Sequence, residues 1–221
     1  AESIGSEVNK KKVGTFGDLG IFSFAGNKIL TSGEGGAVVT NSKKKYEKLK
    51  LIRSHGRKTT QNYFSSIQTP KYAELGYNWR MSTIISALAL SQLNKIEKLI
   101  KLRRSSAGQY NKKLKKLEGI KTHSEPENYK HVYQLFSIQL PSKKIRDGLM
   151  RFLAGRGIMT KIFFEPIHLT RHFSKYGLKQ QNLPITQMIS ERILSLPMYP
   201  DLTREEINKI TDAISEFMER K

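Results

Sequence analysis

The sequence predicts an α/β protein, and three regions of different hydrophobic pattern lead to this fold class. Near the N-terminus, short apolar runs alternate with glycine-containing turns, which is typical of strands. Residues 82–117 place apolar side chains at steps of three and four, the spacing of a long helix. The remaining chain predicts strand, helix, strand and two further helices. We therefore expect a domain over residues 1–117 that includes the long helix, followed by a smaller α+β domain over residues 118–221.

The first region predicts two strands and one helix. Residues 20–24 and 36–40 are apolar and rich in β-branched or aromatic side chains, so each predicts a strand. Ser42 can cap a helix over residues 43–52. Residues 56–76 are polar and contain many turn-forming residues, and they predict a loop.

The long helix should begin after Ser82, whose hydroxyl can cap its first turn. Gly108 is its weak point, because glycine costs up to ~1 kcal/mol relative to alanine inside a helix, and it would mark any bend. The Thr203-x-x-Glu206 pattern is a capping box for the last helix. In the C-terminal region, strands are predicted over residues 132–140 and 158–164, and helices over residues 145–154, 184–194 and 203–218.

Composition limits the class of protein. The chain has 221 residues, 38% of them hydrophobic, which is enough for a substantial core. It contains no cysteine, which excludes disulfides and thiolate chemistry. No apolar run approaches the ~20 residues needed to span a bilayer. We expect a cytoplasmic protein with no membrane partner.

The five histidines do not predict a metal site. His168 and His172 are four residues apart, but Pro166 lies just upstream and the surrounding residues do not form a convincing set of metal ligands. We expect no bound metal.

A single lysine lies in a setting that suits covalent chemistry. The apolar residues 19–24 lead to Lys28 in a turn, and nearby glycines, including Gly26 and Gly33, let a flat molecule approach the backbone. A lysine amine condenses with an aldehyde to give a Schiff base, but only in its unprotonated form, which partial burial favours. Alternatively, Lys28 is one surface lysine among many.

Three motifs, in order along nearly the whole chain, resemble one enzyme family. They are residues 13–56, Gly76-Tyr-Asn-Trp-Arg-Met81, and the C-terminal Leu183-Pro184 with Leu194-Ser-Leu-Pro-Met-Tyr-Pro200. Together they resemble the DegT/DnrJ/EryC1/StrS sugar aminotransferases, which are pyridoxal 5'-phosphate enzymes of fold type I. Gly26-Asn27-Lys28 is most similar to the perosamine-synthase branch, which aminates C4 of a GDP-linked 4-keto-6-deoxy sugar.

The resemblance implies a role for five residues. Lys28 would form the Schiff base with the cofactor and carry the proton during the reaction. Ser23 would bind the cofactor phosphate, and Asn78 would reach the phosphate of the neighbouring subunit's cofactor. Glu2 would contact the ring hydroxyl, and His168 would contact the nucleotide-sugar substrate. The family also implies glutamate as the amino donor and a homodimer with shared active sites.

The same resemblance implies that the chain is the C-terminal portion of a fold type I transferase. It would contain part of the large mixed-sheet cofactor domain, the linking helix and the small domain. The family's aspartate that pairs with the ring nitrogen would stand two positions before Ala1, and its phosphate-binding turn lies earlier still. We therefore expect little or no transaminase activity from this chain alone. Gln187 stands where the family usually has an acidic residue, at the start of a predicted helix.

Charge supports a rival hypothesis. The chain has 39 Lys and Arg against 19 Asp and Glu, a formal net charge of +20, which is typical of proteins that bind nucleic acid. Its lysine clusters, such as residues 10–12 and 112–116, are dispersed rather than gathered with aromatic side chains, so nucleic-acid binding is not our expectation. A non-catalytic subunit that binds an intact relative is the third alternative.

Overall fold

The structure is a computed structural model that describes residues 1–58, 67, 69, 71–175 and 183–220. The chain divides into two compact units. Unit 1 comprises Ala1–Lys98 and Asn128–Val132, and unit 2 comprises Leu99–Glu127 and Tyr133–Lys221. This division falls earlier than the boundary predicted after residue 117, and the assignment of domains from sequence stays a prediction.

Helices and short strands alternate along the described residues. The helices are α1 (Lys43–Arg53), α2 (Thr83–Leu93), α3 (Ile96–Leu114), α4 (Lys143–Ala154), α5 (Arg171–Lys175), α6 (Pro184–Arg192) and α7 (Arg204–Glu219). The strands are β1 (Glu7–Val8), β2 (Lys11–Lys12), β3 (Gly20–Ser23), β4 (Gly36–Val39), β5 (Arg57–Lys58), β6 (Lys71–Tyr72), β7 (Lys121–Thr122), β8 (Tyr129–Lys130), β9 (Phe136–Gln139) and β10 (Ile193–Leu196).

The described residues of unit 1 form three small antiparallel sheets, with strand orders β2-β1-β8, β3-β4 and β5-β6. The strands predicted over residues 20–24 and 36–40 are confirmed as β3 and β4, which pair from Gly20 opposite Val39 to Ser23 opposite Gly36. The predicted cap of α1 is also confirmed, because the Ser42 hydroxyl accepts a hydrogen bond from the Lys45 amide.

The predicted loop over residues 56–76 holds the paired strands β5 and β6 at its two ends. The expectation of loop for that part of the segment is therefore wrong. Residues 59–66, 68 and 70 of the same segment lie outside the described residues.

The prediction of a single helix over residues 82–117 is wrong at one point. It is interrupted at Asn94 and Lys95, where the Lys95 amide bonds the Gln92 carbonyl, three residues back, instead of the carbonyl four residues back. Gly108, the expected weak point, lies within the continuous α3. Ser82 caps α2 as predicted, since its hydroxyl accepts from the Ile85 amide.

Unit 1 buries few large apolar side chains. Ile29 and Leu30 are 4% and 1% exposed, and Ala89 is the one buried residue of α2. The other apolar residues of α2 include Ile84 and Leu90, which are 82% and 60% exposed. The described part of α2 is therefore an apolar helix with little of its surface covered.

Unit 2 is built on the antiparallel sheet β10-β9-β7. β9 lies within the strand predicted over residues 132–140, and β10 pairs with it from Ile193 opposite Gln139 to Leu196 opposite Phe136. Two predictions are corrected here. The helix predicted over residues 184–194 ends at Arg192 and passes directly into β10, and the strand predicted over residues 158–164 is only an isolated bridge between Lys161 and Ser195.

The core of unit 2 joins this sheet to α3, α4 and α7. Phe136, Leu149 and Ile214 are each 0% exposed within it. The amphipathic α4 and α7 place their apolar stripes on the sheet, which is why both helices form where the three- and four-residue periodicity predicted them. The α7 capping box is confirmed, with Thr203 and Glu206 each bonding the other's backbone amide.

Arg103 is a charged residue inside unit 2, only 6% exposed. One of its terminal nitrogens donates to the carbonyls of Tyr133, Gln134 and Met198, each at 3.2 Å. Burial lowers the pKa of this guanidinium. The guanidinium thus bridges two chain segments that are distant in sequence, and its partners are backbone carbonyls rather than a carboxylate.

Candidate functional site

Lys28 lies in the turn that follows β3. Its amide bonds the carbonyl of Ala25 at 3.0 Å, which closes the turn and directs the side chain inward. The side chain is only 13% exposed, and Nζ donates to Oε1 of Glu2 at 2.7 Å. The side chain is therefore more shielded than that of an ordinary surface lysine.

The backbone around Lys28 leaves room on one side. A Cβ built on Gly26 would meet nothing within 4 Å, so the turn faces open space there. Gly35 has a φ of 127°, a conformation that other residues rarely adopt, and its carbonyl accepts a hydrogen bond from the Phe24 amide at 2.9 Å. A planar group could therefore approach the turn from the Gly26 side.

Ser23 ends β3, five residues before Lys28. Its hydroxyl oxygen accepts a hydrogen bond from the Ala25 amide at 3.4 Å. Within the described part of the chain, this hydroxyl donates to no acceptor, so its proton is free for an anionic group.

Asn78 lies on an extended segment that pairs with the end of α1. It forms an antiparallel bridge with Ser54, and the neighbouring Tyr77 and Trp79 add backbone bonds to the same segment. Its side chain is exposed and makes no hydrogen bond to any described residue. The rings of Tyr77 and Trp79 stack at 4.2 Å beside it.

His168 belongs to unit 2, where it lies on a short 3-10 helix, Ile167–Leu169. Its Nε2 lies 3.3 Å from the side-chain nitrogen of Gln187. An amide nitrogen can only donate, so in this contact the ring nitrogen is the acceptor. The sequence analysis identified Gln187 only as a position that lacks the family's usual acidic residue. Its contact with His168 joins residues 19 positions apart, so local sequence patterns could not predict it.

The direct pairing of Glu2 with Lys28 was also beyond local sequence patterns, since 26 residues separate the two. Ser23, Lys28 and Glu2 belong to unit 1, as does Asn78. Among the residues that the structure describes, no group of His, Asp and Glu side chains could hold a metal ion. The described helices also include none that is long and apolar enough to cross a membrane.

Residues 1–215 match the sequence model of the DegT/DnrJ/EryC1/StrS aminotransferase family. A GDP-perosamine synthase of Escherichia coli O157:H7 is 35% identical over 221 residues, which is 100% of this chain and 57% of that protein. The chain thus spans a little over half the length of this relative.

Solved structures show the same likeness. Helicobacter pylori PseC, an aminotransferase involved in the biosynthesis of pseudoaminic acid, has a TM-score of 0.91 at 29% identity, with 100% of this chain and 59% of that chain covered. Spr1654 of Streptococcus pneumoniae, described as a sugar aminotransferase and solved in a PLP-form, has a TM-score of 0.90 at 21% identity and covers 100% and 56%. At that identity the second structure supports the fold alone.

Proposed function

Because the chain belongs to the DegT/DnrJ/EryC1/StrS aminotransferase family, we propose that it supplies the cofactor lysine of a sugar aminotransferase and that this lysine is Lys28. The expected family and its α/β fold are confirmed, and the cofactor of the family is pyridoxal 5'-phosphate. The reaction that we propose moves an amino group from glutamate to a keto carbon of a nucleotide-linked 4-keto-6-deoxy sugar. The similarity to GDP-perosamine synthases supports C4 as that carbon.

The contact between Lys28 and Glu2 is the observation on which this proposal depends most. An unspecialised lysine keeps its ammonium group in water, where it is best solvated. Here Nζ is shielded, with one carboxylate oxygen at 2.7 Å and open space beside Gly26. A lysine that must meet a carbonyl carbon needs this combination of shielding and an open approach.

The side chains present fit pyridoxal phosphate. The cofactor needs an amine for its aldehyde carbon, donors for its phosphate and a partner for its ring hydroxyl. Lys28 offers the amine, Ser23 has an unused hydroxyl proton, and Glu2 offers a carboxylate. When bound, the pyridine ring would take up the electron pair released as a carbon–hydrogen bond breaks.

Lys28 and Glu2 would change partners during cofactor loading. In the observed contact Nζ donates to Glu2, whereas only a neutral amine attacks a carbonyl carbon. We propose that Glu2 leaves Nζ and accepts a hydrogen bond from the ring hydroxyl instead. Lys28 Nζ then loses its proton, and in the reaction the same nitrogen accepts and returns a proton as a general base and acid.

Two further residues, Ser23 and Asn78, would bind cofactor phosphates. Ser23 would donate its free hydroxyl proton to a phosphate oxygen. Asn78 would serve the cofactor of a second subunit, because its side chain is exposed and without a hydrogen bond to any described residue. This assignment makes a homodimer with shared sites part of the proposal. In unit 2, His168 would contact the nucleotide sugar.

The test is to locate the cofactor's attachment point. The protein, expressed from its entire reading frame, is loaded with pyridoxal phosphate, reduced with borohydride and digested for peptide mass spectrometry. We expect the reduced cofactor on the peptide that contains Lys28 and its loss in Lys28→Ala. Lys43→Ala, which removes a solvent-exposed lysine at the start of α1, is the matched control. Attachment at another lysine, or an unchanged product in Lys28→Ala, would overturn the assignment.

Activity is measured in the same proteins. Lys28→Ala should lower amino transfer to the sugar by at least about a thousandfold, since the nucleophile and the proton carrier are lost together. Glu2→Gln should retain the attachment while lowering the rate. If both variants turn over at the unaltered rate, neither side chain has the proposed role.

A further inference from the structure

Unit 2 carries a groove of about 770 Å³, lined mainly by polar and charged residues, that the proposed aminotransferase chemistry does not use. One wall is α3 and the other is α7. Gln109 and Lys112 from α3, with Lys116 just after its end, face residues of α7 such as Arg204 and Asn208, all within this single unit. Leu117 is the one large apolar side chain among the lining residues, so the groove does not resemble an interface for an apolar helix.

Positive charge dominates the groove. Lys112, Lys113, Lys116 and Arg204 line it, with Asp212 as the one carboxylate among the lining residues. Lys113 pairs with that carboxylate at 3.3 Å. Within the described residues, the other three cations form no ion pair. An anion entering the groove would therefore meet three uncompensated positive charges.

Helix dipoles explain only part of this arrangement. Lys112 and Lys113 lie in the last turn of α3, where cations are favoured by the dipole of the helix. Arg204 is different, because it lies at the first position of α7, where the same dipole disfavours a positive charge. Its placement in the groove thus runs against the preference of its own helix and suits an external anion.

Neutral hydrogen-bonding groups complete the groove. Ser105, Gln109 and Asn208 line it, and their side chains make no hydrogen bond to a described residue. Hydroxyl and amide groups beside lysine and arginine are the donors that bind phosphate oxygens. The spread of cations along two helices suits an anion with several phosphate groups better than a single phosphate.

We propose that the groove between α3 and α7 is a binding site for an anion with two or more adjacent phosphate groups. Two sources share this chemistry: inorganic pyrophosphate or polyphosphate, and the diphosphate of a nucleotide. The site is independent of Lys28. Lys116 and Arg204 would contact the phosphate oxygens directly, with Gln109 and Asn208 adding neutral donors.

The experiment titrates pyrophosphate into the protein by calorimetry, with pyridoxal phosphate present in excess so that the proposed cofactor site is filled. We expect saturable binding with a dissociation constant below ~1 mM in ~50 mM salt, weakening as salt rises. The double variant Lys116→Gln/Arg204→Gln should bind at least about tenfold more weakly, since two charge-assisted contacts are lost. The variant Lys43→Gln/Lys44→Gln, which removes the same charge from α1, should bind like the unaltered protein.

Amide chemical shifts locate the bound anion. Pyrophosphate should move the signals of residues 105–117 and 204–215 in the unaltered protein and not in the groove variant. Tighter binding of GDP than of pyrophosphate would identify a nucleotide as the ligand, and equal binding would identify an inorganic one. Three results would overturn the proposal: no saturable binding, equal weakening in the α1 control, or binding of a single-stranded oligonucleotide at the groove without any binding of pyrophosphate.

Discussion

Unit 2 closes a core around Phe136, Leu149 and Ile214, none of which is exposed, whereas unit 1 leaves most of α2 uncovered. Within α2, Ile84 is 82% exposed and Leu90 is 60% exposed. A helix that is apolar on all sides is normally buried on all sides. The unit that carries Lys28 is therefore the one that supplies less of its own stability.

The difference separates the two roles: unit 2 contains the larger buried core, and unit 1 contains the candidate cofactor residues. Unit 2 combines a sheet, three core helices and buried polar links such as Arg103 in one cooperative body. Unit 1 holds Lys28, Ser23 and Asn78 on short strands and turns that would gain stability from any surface covering α2. The second subunit that we propose is one such surface.

The largest expected effect is on the free energy of unfolding, and it is tested by truncating one leucine in each unit. Leu149→Ala removes a fully buried side chain from unit 2 and should lower the free energy of unfolding by about 2–5 kcal/mol. Leu88→Ala, at a residue that is 45% exposed in α2, should cost less than about 1 kcal/mol. Urea titrations followed by far-ultraviolet circular dichroism measure both.

The fluorescence of Trp79, the single tryptophan and a residue of unit 1, reports that unit separately in the same titrations. Equal losses for the two leucine variants would contradict the contrast. They would mean that α2 is covered in solution as completely as the core of unit 2.

A smaller expected effect concerns the stability of unit 2 at low pH. Both terminal nitrogens of Arg156 donate to Glu216 at 2.7 Å, and Arg220 adds a further contact, so the pKa of Glu216 is lowered. A carboxyl whose pKa is lower in the folded state stabilises the fold above its unfolded pKa of about 4.5 and loses that contribution as pH falls through the folded pKa. We expect the stability of unit 2 to fall between about pH 5 and about pH 3, and to fall less steeply in Glu216→Gln.

Urea titrations at several pH values measure this slope. Glu205→Gln is the matched control, since it removes a carboxylate of the same helix that contacts no arginine among the described residues. A slope that is identical in Glu216→Gln and in the unaltered protein would show that the arginine contacts contribute nothing to acid stability.

The smallest effect is local and sharpens the account of unit 2. Gln187→Glu replaces the amide beside His168 by a carboxylate and should move the nuclear magnetic resonance signals of the His168 ring protons. The global stability should change by less than about 0.5 kcal/mol, because the pair lies outside the core. Spectra of the two proteins at one pH measure the first, and urea unfolding measures the second. Unchanged ring-proton signals would show that the two side chains do not stay in contact.

Local signals predicted much of the fold. Ser42, Ser82 and Thr203 cap their helices as expected, because a cap depends on residues within one turn. The break at Asn94 and Lys95 was not predicted, since neither glycine nor proline marks it and the apolar steps continue through it. The change from an all-apolar α2 to an amphipathic α3 was the available signal.

Non-local pairing explains the remaining differences. β10 forms because Ile193–Leu196 lies in register with β9, more than fifty residues earlier, and a short apolar run does not by itself distinguish strand from helix. In the candidate site, the sequence pointed to Lys28 through its neighbours, but its contact with Glu2 depends on tertiary structure. The roles of Ser23, Asn78, Glu2 and His168 came from family resemblance and stay predictions.

The contact of Arg103 with Met198 bears on how the chain folds as it is made. The two residues are 95 positions apart, and β10 also comes from the last part of the sequence. During synthesis, α3 leaves the ribosome long before the strand and carbonyl that complete its surroundings, so the core of unit 2 closes late. Until then the nascent chain displays an unfinished sheet and the apolar side chains that the sheet will cover. We expect chaperones that bind exposed apolar segments to act in this interval.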